Sequence, residues 1–425
     1  MPQTYTLPEM IVRNHIFEIP LEHAAPNGPT ITVFAREVRA WERDEDEQPY
    51  LVFFQGGPGS AAPRPVTRSG WLGRALQDYR VLLLDQRGTG LSSPISSQTL
   101  AHLTQEKQAA YLSHFRADAI VSDAEWIRRQ LSPDAPWAIL GQSFGGFCAL
   151  RYLSAAPEGL SEVFITGGVP SLTRPADDVY RATYPRVETK NRAFFARYPW
   201  AQEICGRIAR TLHHQDVRLP NGQRLTAEQF QQLGIAFGMS DGFEGVMDLL
   251  ERAFVSVNGK DELSQTFLYD LQSELSYHTH PIFSILHEAI YAQEEATNWA
   301  AERVRRDFSQ FDYAPERPFL FTGEMIYPWM LEQYETLKPL REAADILATK
   351  SDWPRLYDLE RLANNTVPTA ALLYFNDMYV DLNYALETAS HVPEFKTWIT
   401  SEYEHNGLRA DGERVLDKLI ALNRS

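Results

Sequence analysis

Ser143 is the residue of this chain best placed to act as a nucleophile. It lies in Gly141-Gln-Ser-Phe-Gly145, which fits the pattern Gly-x-Ser-x-Gly. A short apolar run at 137–140 precedes the pattern and predicts a buried strand, and apolar residues at helical spacing follow it as far as Leu153. Between a strand and a helix, the pattern predicts a sharp turn that exposes the serine. Without that context the same five residues are typical of a tight structural turn.

A reactive serine needs a base, and the base needs an acid that orients it. After a serine in such a turn, the acid and then the histidine follow along the chain. Asp377 follows a predicted strand at 369–375, at the sheet edge where catalytic groups collect. Asp381 competes for the role of the acid, but its position predicts the cap of the next helix. His405 is the only histidine after the last predicted strand, so we predict a triad of Ser143, Asp377 and His405.

A glycine-rich loop after another strand predicts a site for developing negative charge. Gln55-Gly-Gly-Pro-Gly59 follows the apolar run 49–54. A backbone without side chains can approach a substrate closely and direct an N–H group at it. We expect the N–H groups of Gly57 and Phe144 to form an oxyanion hole.

The same loop permits a second interpretation. Residues 57–62 mimic the dinucleotide-binding pattern G-x-G-x-x-A, and Asp85 ends the next strand, where an acid that binds ribose would lie. That pattern must open a helix, and Pro58, Pro63 and Pro65 oppose a helix there. We therefore favour the oxyanion hole and expect no nucleotide cofactor.

Alternating strands and helices must position these groups. Apolar or alternating runs predict strands at 15–21, 30–38, 49–54, 79–84, 137–140 and 163–166, and helical spacing predicts a helix at 118–131. We expect the first two strands to form an antiparallel hairpin at a sheet edge. The continuous apolar runs that follow are typical of parallel strands covered on both faces. The predicted fold class is therefore α/β, with a mainly parallel sheet.

The middle of the chain differs from this alternation. Residues 177–350 show helical periodicity, many aromatic residues and no convincing strand, which indicates a large helical cap inserted after the sixth core strand. Strand character returns at 369–375 and 395–400, with helices predicted at 381–390 and 412–422. We predict a first core part at 1–170, a helical cap domain at 171–355 and a second core part at 356–425.

Composition and charge exclude several classes of protein. The chain has 425 residues, of which 44% are hydrophobic and 23% charged, so it can bury a large core and is neither disordered nor fibrous in character. Its net charge of −16 argues against nucleic acid or an anionic membrane surface as a partner. We see no signal-peptide pattern and no apolar run long enough to span a bilayer, so we expect neither export nor membrane insertion.

Cysteines and histidines give no indication of a disulfide framework or a metal site. The chain has only Cys148 and Cys205, which fits a reducing compartment, and we expect a cytoplasmic protein. The pairs His213-His214 and His278-Thr-His280 lack carboxylates or cysteines at ligand spacing, so we expect no metal. The sequence leaves open whether the chain forms a homo-oligomer.

Together these motifs resemble those of one family. The chain has Gly-Gly-Pro-Gly at 56–59, Asp85-Gln-Arg-Gly-x-Gly-x-Ser92, the Gly-x-Ser-x-Gly turn, a helical cap, Asp377-Met378 and a late histidine. This set resembles the α/β-hydrolase-fold proline iminopeptidases, serine peptidases that release N-terminal proline from peptides, and it covers the whole core. Gln55 departs from the family, in which a histidine usually precedes the two glycines. Because the glycine backbone supplies the donor, we expect the oxyanion hole to stay intact.

The resemblance implies a binding site for the free amino end of a substrate. That group is a cation over much of the neutral range, and a cation taken out of water needs an anionic partner. In the resembling enzymes, glutamates of the cap serve this role. By position, Glu288 and Glu324 match best, because both lie beside apolar and aromatic residues that could wall a pyrrolidine ring. Glu188 is a third candidate.

We therefore expect a serine aminopeptidase that acts through an acyl-enzyme on peptides with a free N-terminal proline and uses no cofactor. An esterase or another capped α/β hydrolase is the first alternative. A catalytically silent binding protein on the same fold is the second. No motif distinguishes proline from hydroxyproline or other N-terminal residues.

Overall fold

A nine-stranded sheet lies at the centre of the computed structural model, which describes residues 4–43 and 47–425. The strands, numbered along the chain, are β1 (Thr4–Leu7), β2 (Met10–Pro20), β3 (Thr30–Ala40), β4 (Tyr50–Phe54), β5 (Arg80–Asp85), β6 (Trp137–Gln142), β7 (Leu160–Thr166), β8 (Phe254–Val257), β9 (Lys260–Leu263), β10 (Thr369–Tyr374) and β11 (Phe395–Thr400). Strands β8 and β9 form a separate hairpin, and the order across the main sheet is β1-β2-β3-β5-β4-β6-β7-β10-β11.

The sheet is antiparallel at one end and parallel elsewhere. Strands β1, β2, β3 and β5 pair antiparallel in turn, whereas every pairing from β5 to β11 is parallel. The predicted hairpin of the first two long strands is confirmed as β2 and β3. The predicted α/β class with a mainly parallel sheet is also confirmed.

The helices of the core lie before and after a long insertion. The first group is α1 (Gly70–Asp78), α2 (Ser97–Leu100), α3 (Gln105–Leu112), α4 (Ala117–Leu131) and α5 (Phe144–Ala155), and the last is α15 (Leu359–Ala363), α16 (Leu382–His391), α17 (Gly407–Ala410) and α18 (Gly412–Asn423). The helices numbered between these two groups belong to the insertion. Short 3-10 turns lie at Trp41–Arg43 and Pro157–Gly159.

Alternation along the parallel strands divides the core between two faces. Leu51 and Phe53 of β4 pack with residues of α1 and α18, whereas Val52 and Phe54 pack with residues of α4 and α5. Successive side chains of a strand point to opposite faces, so a strand covered on both faces must be apolar throughout. The carboxyl ends of these strands then open at one edge, where loops can carry polar groups.

The insertion between β7 and β10 is mainly helical. Its helices are α6 (Ala176–Arg197), α7 (Ala201–His214), α8 (Ala227–Gln231), α9 (Gly242–Glu251), α10 (Gln265–Glu274), α11 (Pro281–Leu286), α12 (Ala300–Arg305), α13 (Met330–Gln333) and α14 (Arg341–Thr349). Between them are 3-10 turns at Gln232–Gly238, Ser276–Thr279, Glu288–Ile290, Arg306–Phe311 and Lys338–Leu340. The predicted helical character of this segment is confirmed.

Two predictions about strands were wrong. The insertion was predicted after the sixth core strand. It follows the seventh strand of the sheet, since the four-residue edge strand β1 was not predicted. The insertion also holds the hairpin β8–β9, in a segment where no strand was expected. Its turn, Asn258-Gly259, has positive φ at both residues. Asn-Gly between short alternating runs is a strong hairpin signal, so the sequence did contain the information.

The predicted domain boundaries fall in loops. Residues 170 and 171 lie between β7 and α6, and residues 355 and 356 lie between α14 and α15. Neither boundary interrupts a helix or strand, and both stay predictions.

The turn at Ser143 depends on close contact between its helix and the sheet. Ser143 joins β6 to α5 with φ 52° and ψ −124°, a conformation that non-glycine residues rarely adopt. A Cβ atom on Gly145 would lie 2.0 Å from the carbonyl oxygen of Phe54 in β4. The first turn of α5 can therefore pack on the sheet only because residue 145 has no side chain.

Gly145→Ala should destabilise the protein by about 1–3 kcal/mol or more, because neither the helix nor β4 can move aside freely. The matched control is Gly245→Ala in α9, where a Cβ would meet nothing within 4 Å. That change should be neutral or stabilising by up to about 1 kcal/mol, since alanine favours a helix over glycine. Urea unfolding of both variants measures the difference, and equal stabilities would contradict the close packing at the turn.

Candidate active site

Ser143 stands at the carboxyl end of β6, at the start of α5. Its N–H donates to the carbonyl of Thr166 (2.9 Å), and its carbonyl accepts from the N–H of Gly146 (2.7 Å). Both backbone groups are thus fixed by neighbouring elements. Within the described residues no hydrogen bond involves the Ser143 hydroxyl, so its side chain is free to interact with another molecule.

Asp377 and His405 form a buried hydrogen-bonded pair. His405 Nδ1 lies 2.7 Å from Asp377 Oδ2, and each residue is at most 4% exposed. The second carboxylate oxygen of Asp377 accepts the N–H groups of Tyr379 (2.9 Å) and Val380 (3.1 Å). A carboxylate held in this way fixes the orientation of the imidazole and the proton on Nδ1.

Asp381 caps a helix, as its position predicted. Its side chain accepts the N–H groups of Asn383 and Tyr384 at the start of α16. It also pairs with Arg186 (3.2 Å). Asp381 therefore has partners of its own, and Asp377 is the aspartate that contacts His405.

The environment of His405 favours its protonated form. Burial alone lowers the pKa of His405, but the charge and hydrogen bond of Asp377, together with the charges of Glu324 and Glu404, raise it above its ordinary value. A histidine with this balance can accept a proton readily and hold it beside the aspartate.

Gly167 and Gly168 bring Ser143 and His405 to the same place. These residues follow β7, and a Cβ on Gly167 would lie 3.0 Å from Nδ1 of His405. A Cβ on Gly168 would lie 2.1 Å from the carbonyl oxygen of Ser143. Ser143 and His405 therefore lie against adjacent residues of one loop. The structure contains no direct hydrogen bond between them, and such bonds often tighten only when substrate binds.

His405 is also attached to the insertion. Its N–H donates to the carbonyl of Gly238 (2.9 Å), and the ring of Tyr379 lies edge-on to the imidazole at 4.7 Å. The hydroxyl of Tyr379 donates to the carbonyl of Ile235. The histidine is therefore held from both parts of the chain, a contact between distant segments that no local sequence signal indicates.

The two backbone N–H groups predicted to form the oxyanion hole, those of Gly57 and Phe144, donate no hydrogen bond within the described residues. Gly56 lies against the nucleophile turn, since a Cβ there would be 2.9 Å from Cβ of Ser143. The carbonyl of Gln55 accepts from the side-chain amide of Gln86 (3.0 Å), which ties the loop to the end of β5. The loop therefore lies beside Ser143, as the oxyanion-hole prediction requires.

The dinucleotide interpretation of this loop fails. No helix begins between residue 55 and α1 at Gly70. Asp85, the proposed ribose acid, instead accepts the N–H groups of Ala62 (3.2 Å) and Leu91 (3.0 Å). Asp85 thus holds the two loops in place.

Glu324 is the glutamate of the insertion whose charge acts on the Asp377–His405 pair. Its side chain is 17% exposed, and within residues 4–43 and 47–425 no hydrogen bond reaches its carboxylate. Burial raises the pKa of Glu324 to about 8, while the charge of His405 lowers it and that of Asp377 raises it. A carboxyl group without a partner in such a place is suited to receive a cation.

Glu288 has a different environment. Its two carboxylate oxygens accept the N–H groups of Ala300 and Ala301 (both 2.9 Å) at the start of α12. Burial raises the pKa of Glu288 to about 7 despite these hydrogen bonds. Both oxygens are thus occupied, so the structure favours a helix-stabilising role over the predicted contact with substrate.

Glu188 lies on α6 and accepts a hydrogen bond from Gln310 (3.2 Å) at an exposed position. Sequence reasoning also missed Glu404, the neighbour of His405 in the chain, which pairs with Lys190 of α6 (2.5 Å).

A pocket of about 170 Å³ opens beside the predicted oxyanion loop. It is lined by Gly57, Ser60, Ile235, Glu274, Tyr277, His280 and Phe283. Glu324 raises the pKa of Tyr277 by its charge, although burial is the larger cause. The pocket therefore lies beside the glycine loop, and its wall includes Tyr277, on which the charge of Glu324 acts.

The structure also bears on metals and membranes. Across residues 4–43 and 47–425, no group of three or more histidine, cysteine, aspartate or glutamate side chains is arranged to hold a metal ion. No helix in that part of the chain combines the length and apolar character needed to cross a bilayer.

Comparison with known proteins gives consistent matches. The family model described as the α/β hydrolase fold matches residues 49–253. A proline iminopeptidase of Aeromonas sobria is 55% identical over 424 residues, which cover 100% of this chain and 99% of its own. A proline iminopeptidase of Aspergillus aculeatus is 35% identical over 415 residues, or 96% and 92% of the two chains.

Among solved structures, an acetylester hydrolase of Corynebacterium glutamicum aligns over 97% of this chain and 96% of its own, at 13% identity and a TM-score of 0.46. That likeness is too distant to bear on substrate. The two full-length relatives do bear on family, and they agree with the resemblance seen in the motifs. The chain belongs to the proline iminopeptidase family of α/β-hydrolase-fold enzymes.

Proposed function

We propose that this protein is a serine aminopeptidase that releases N-terminal proline from peptides. Ser143 Oγ attacks the carbonyl carbon of the proline residue, and His405 accepts the hydroxyl proton. Asp377 keeps the imidazole oriented and stabilises its protonated form. The N–H groups of Gly57 and Phe144 receive the charge that develops on the carbonyl oxygen.

Collapse of the tetrahedral intermediate breaks the peptide bond. His405 then donates the proton to the leaving amine, and the proline is left as an ester of Ser143. Water attacks this ester in a second cycle with the same proton transfers, and free proline leaves. The family membership and the buried Asp377–His405 pair beside Ser143 support this sequence of steps.

Glu324 carries the specificity in this proposal. Its partly buried carboxylate lacks a hydrogen-bond partner within the described residues and interacts electrostatically with His405 and Asp377. A protonated N-terminal nitrogen next to the scissile carbonyl would neutralise it. This one observation distinguishes an aminopeptidase from an esterase of the same fold, which has no cation to bind at that point. We assign Glu288 a structural role instead.

We further propose that the enzyme acts in the cytoplasm on peptides with a free N-terminal proline. Cys148 and Cys205 are both buried free thiols, which suits a reducing compartment.

Asp377→Asn should lower kcat for p-nitrophenyl acetate by on the order of 10³- to 10⁴-fold, because the imidazole loses its orienting charge. The pKa of His405 is raised in the native site, so the acid limb of kcat/KM should lie above about pH 6.5. Without the charge of Asp377 that pKa falls, and the limb should move to lower pH.

Asp381→Asn is the matched control, because asparagine caps a helix as well as aspartate does. It should change neither kcat nor the acid limb. If Asp381→Asn moved the limb and Asp377→Asn did not, the assignment of the triad acid would be wrong.

Glu324→Gln and Glu288→Gln separate the two glutamates. Glu324→Gln should reduce kcat/KM for proline p-nitroanilide by on the order of 100-fold or more, because a buried cation loses its counter-ion. Hydrolysis of p-nitrophenyl acetate, which has no amine, should persist.

Glu288→Gln should show the opposite pattern. An amide cannot accept from both Ala300 and Ala301, so stability should fall by about 1–3 kcal/mol in urea unfolding. Its kcat/KM for proline p-nitroanilide should stay within about threefold of wild type, a change that corresponds to less than about 1 kcal/mol.

Full activity of Glu324→Gln on proline p-nitroanilide would refute the amine site.

A further inference from the structure

His287 is buried without a hydrogen-bond partner. Its side chain is 2% exposed, and within the described residues neither ring nitrogen makes a hydrogen bond. Buried polar side chains in native proteins are nearly always paired. A group that is buried and unpaired at the edge of a binding site is therefore expected to find its partner in the ligand.

A series of packed aromatic rings connects His287 to the residue after Ser143. Its ring packs on Phe283 at 4.7 Å and lies edge-on to Tyr291 at 6.3 Å. Tyr291 packs against Phe147 at 5.8 Å, and Phe147 packs against Phe144 at 6.0 Å. These aromatic rings connect the residue after Ser143 to Phe283, which lines the pocket beside Gly57.

His287 also faces the proposed amine site. Its Nε2 lies 3.8 Å from Oε1 of Glu324, too far for a direct hydrogen bond. Burial lowers the pKa of His287 to about 3, so the ring is neutral at neutral pH. One of its nitrogens then has a free lone pair and can accept a hydrogen bond.

We propose that His287 is the second acceptor for the N-terminal imino group of the substrate. This rests on the proposed function, in which Glu324 receives the same group. A protonated N-terminal proline carries two N–H bonds. Glu324 Oε1 accepts one and His287 Nε2 accepts the other, with the His287 proton on Nδ1.

The geometry fits this assignment. Two acceptors that each lie about 2.8 Å from one tetrahedral nitrogen are about 4.6 Å apart. Glu324 Oε1 and His287 Nε2 are 3.8 Å apart, which is less than about 1 Å short of that distance. A small rotation of the Glu324 side chain supplies the difference. His287 is therefore a specificity-determining residue, because it favours a substrate nitrogen with two N–H bonds over a nitrogen with one.

The test pairs two variants with two substrates. Gln can present an oxygen near the position of Nε2, whereas Met fills similar space without an acceptor. Proline p-nitroanilide has two N–H bonds on its protonated nitrogen, and N-methylproline p-nitroanilide has one. Hydrolysis of p-nitrophenyl acetate reports whether each variant is folded and able to acylate.

His287→Met should lower kcat/KM for proline p-nitroanilide by about 10- to 100-fold, the range for a hydrogen bond to a charged group, mainly through KM. His287→Gln should recover most of that loss. With N-methylproline p-nitroanilide the His287→Met penalty should shrink to less than about threefold, since the substrate has no second N–H to lose. Wild type should prefer the proline substrate by at least about 10-fold.

Equal losses for both substrates in His287→Met, or no recovery in His287→Gln, would overturn the role of His287. If His287→Met does not fold, equal kcat/KM of the wild type for the two anilides would do so. Failure of the proposed function is a different result: wild type would not hydrolyse proline p-nitroanilide at all, or Glu324→Gln would hydrolyse it at the wild-type rate.

Discussion

A buried carboxylate is stable only when a cation or hydrogen-bond donors accompany it, and Glu324 has no donor within the described residues. This constraint connects the rest of the site. Left alone, the group holds a proton, as its pKa of about 8 indicates. A charged amine that enters beside it stabilises the carboxylate and is itself stabilised. In the proposed function, this interaction favours the binding of substrates with a free N-terminus.

His405 of the proposed triad contacts the same insertion that carries Glu324. His405 is held by Asp377 of the core and by the carbonyl of Gly238 in the insertion. Movement of the 3-10 turn at Gln232–Gly238 would displace the histidine as well as the wall of the pocket, which includes Ile235. The histidine and the pocket therefore both contact the same 3-10 turn.

Much of this arrangement could be predicted from the sequence, because local chemistry determines it. The Gly-x-Ser-x-Gly turn needs a glycine where α5 meets β4, and apolar runs identify strands that are buried on both faces. Asp377 and Asp381 could be distinguished because a helix cap has a local signature, and the structure confirms that Asp381 is the cap. These features depend on spacing within a few residues.

The two glutamates of the insertion could not be separated in this way. Glu288 and Glu324 have similar apolar neighbours along the chain, and only the fold shows that α12 offers two N–H groups to Glu288 and none to Glu324. The unpaired imidazole of His287 depends likewise on contacts between distant segments. The hairpin β8–β9 is a different case, since its Asn-Gly turn was a local signal that the helical texture of the segment obscured.

In the proposed function, Glu324 recognises a charged N-terminal nitrogen. The most direct measurement compares kcat/KM of the wild-type enzyme for proline p-nitroanilide and N-acetylproline p-nitroanilide. Acetylation removes the charge and both N–H bonds while it leaves the scissile bond unchanged, so kcat/KM should fall by on the order of 10³-fold or more. Values within about tenfold of each other would show that the carboxylate of Glu324 makes little difference to which substrate reacts.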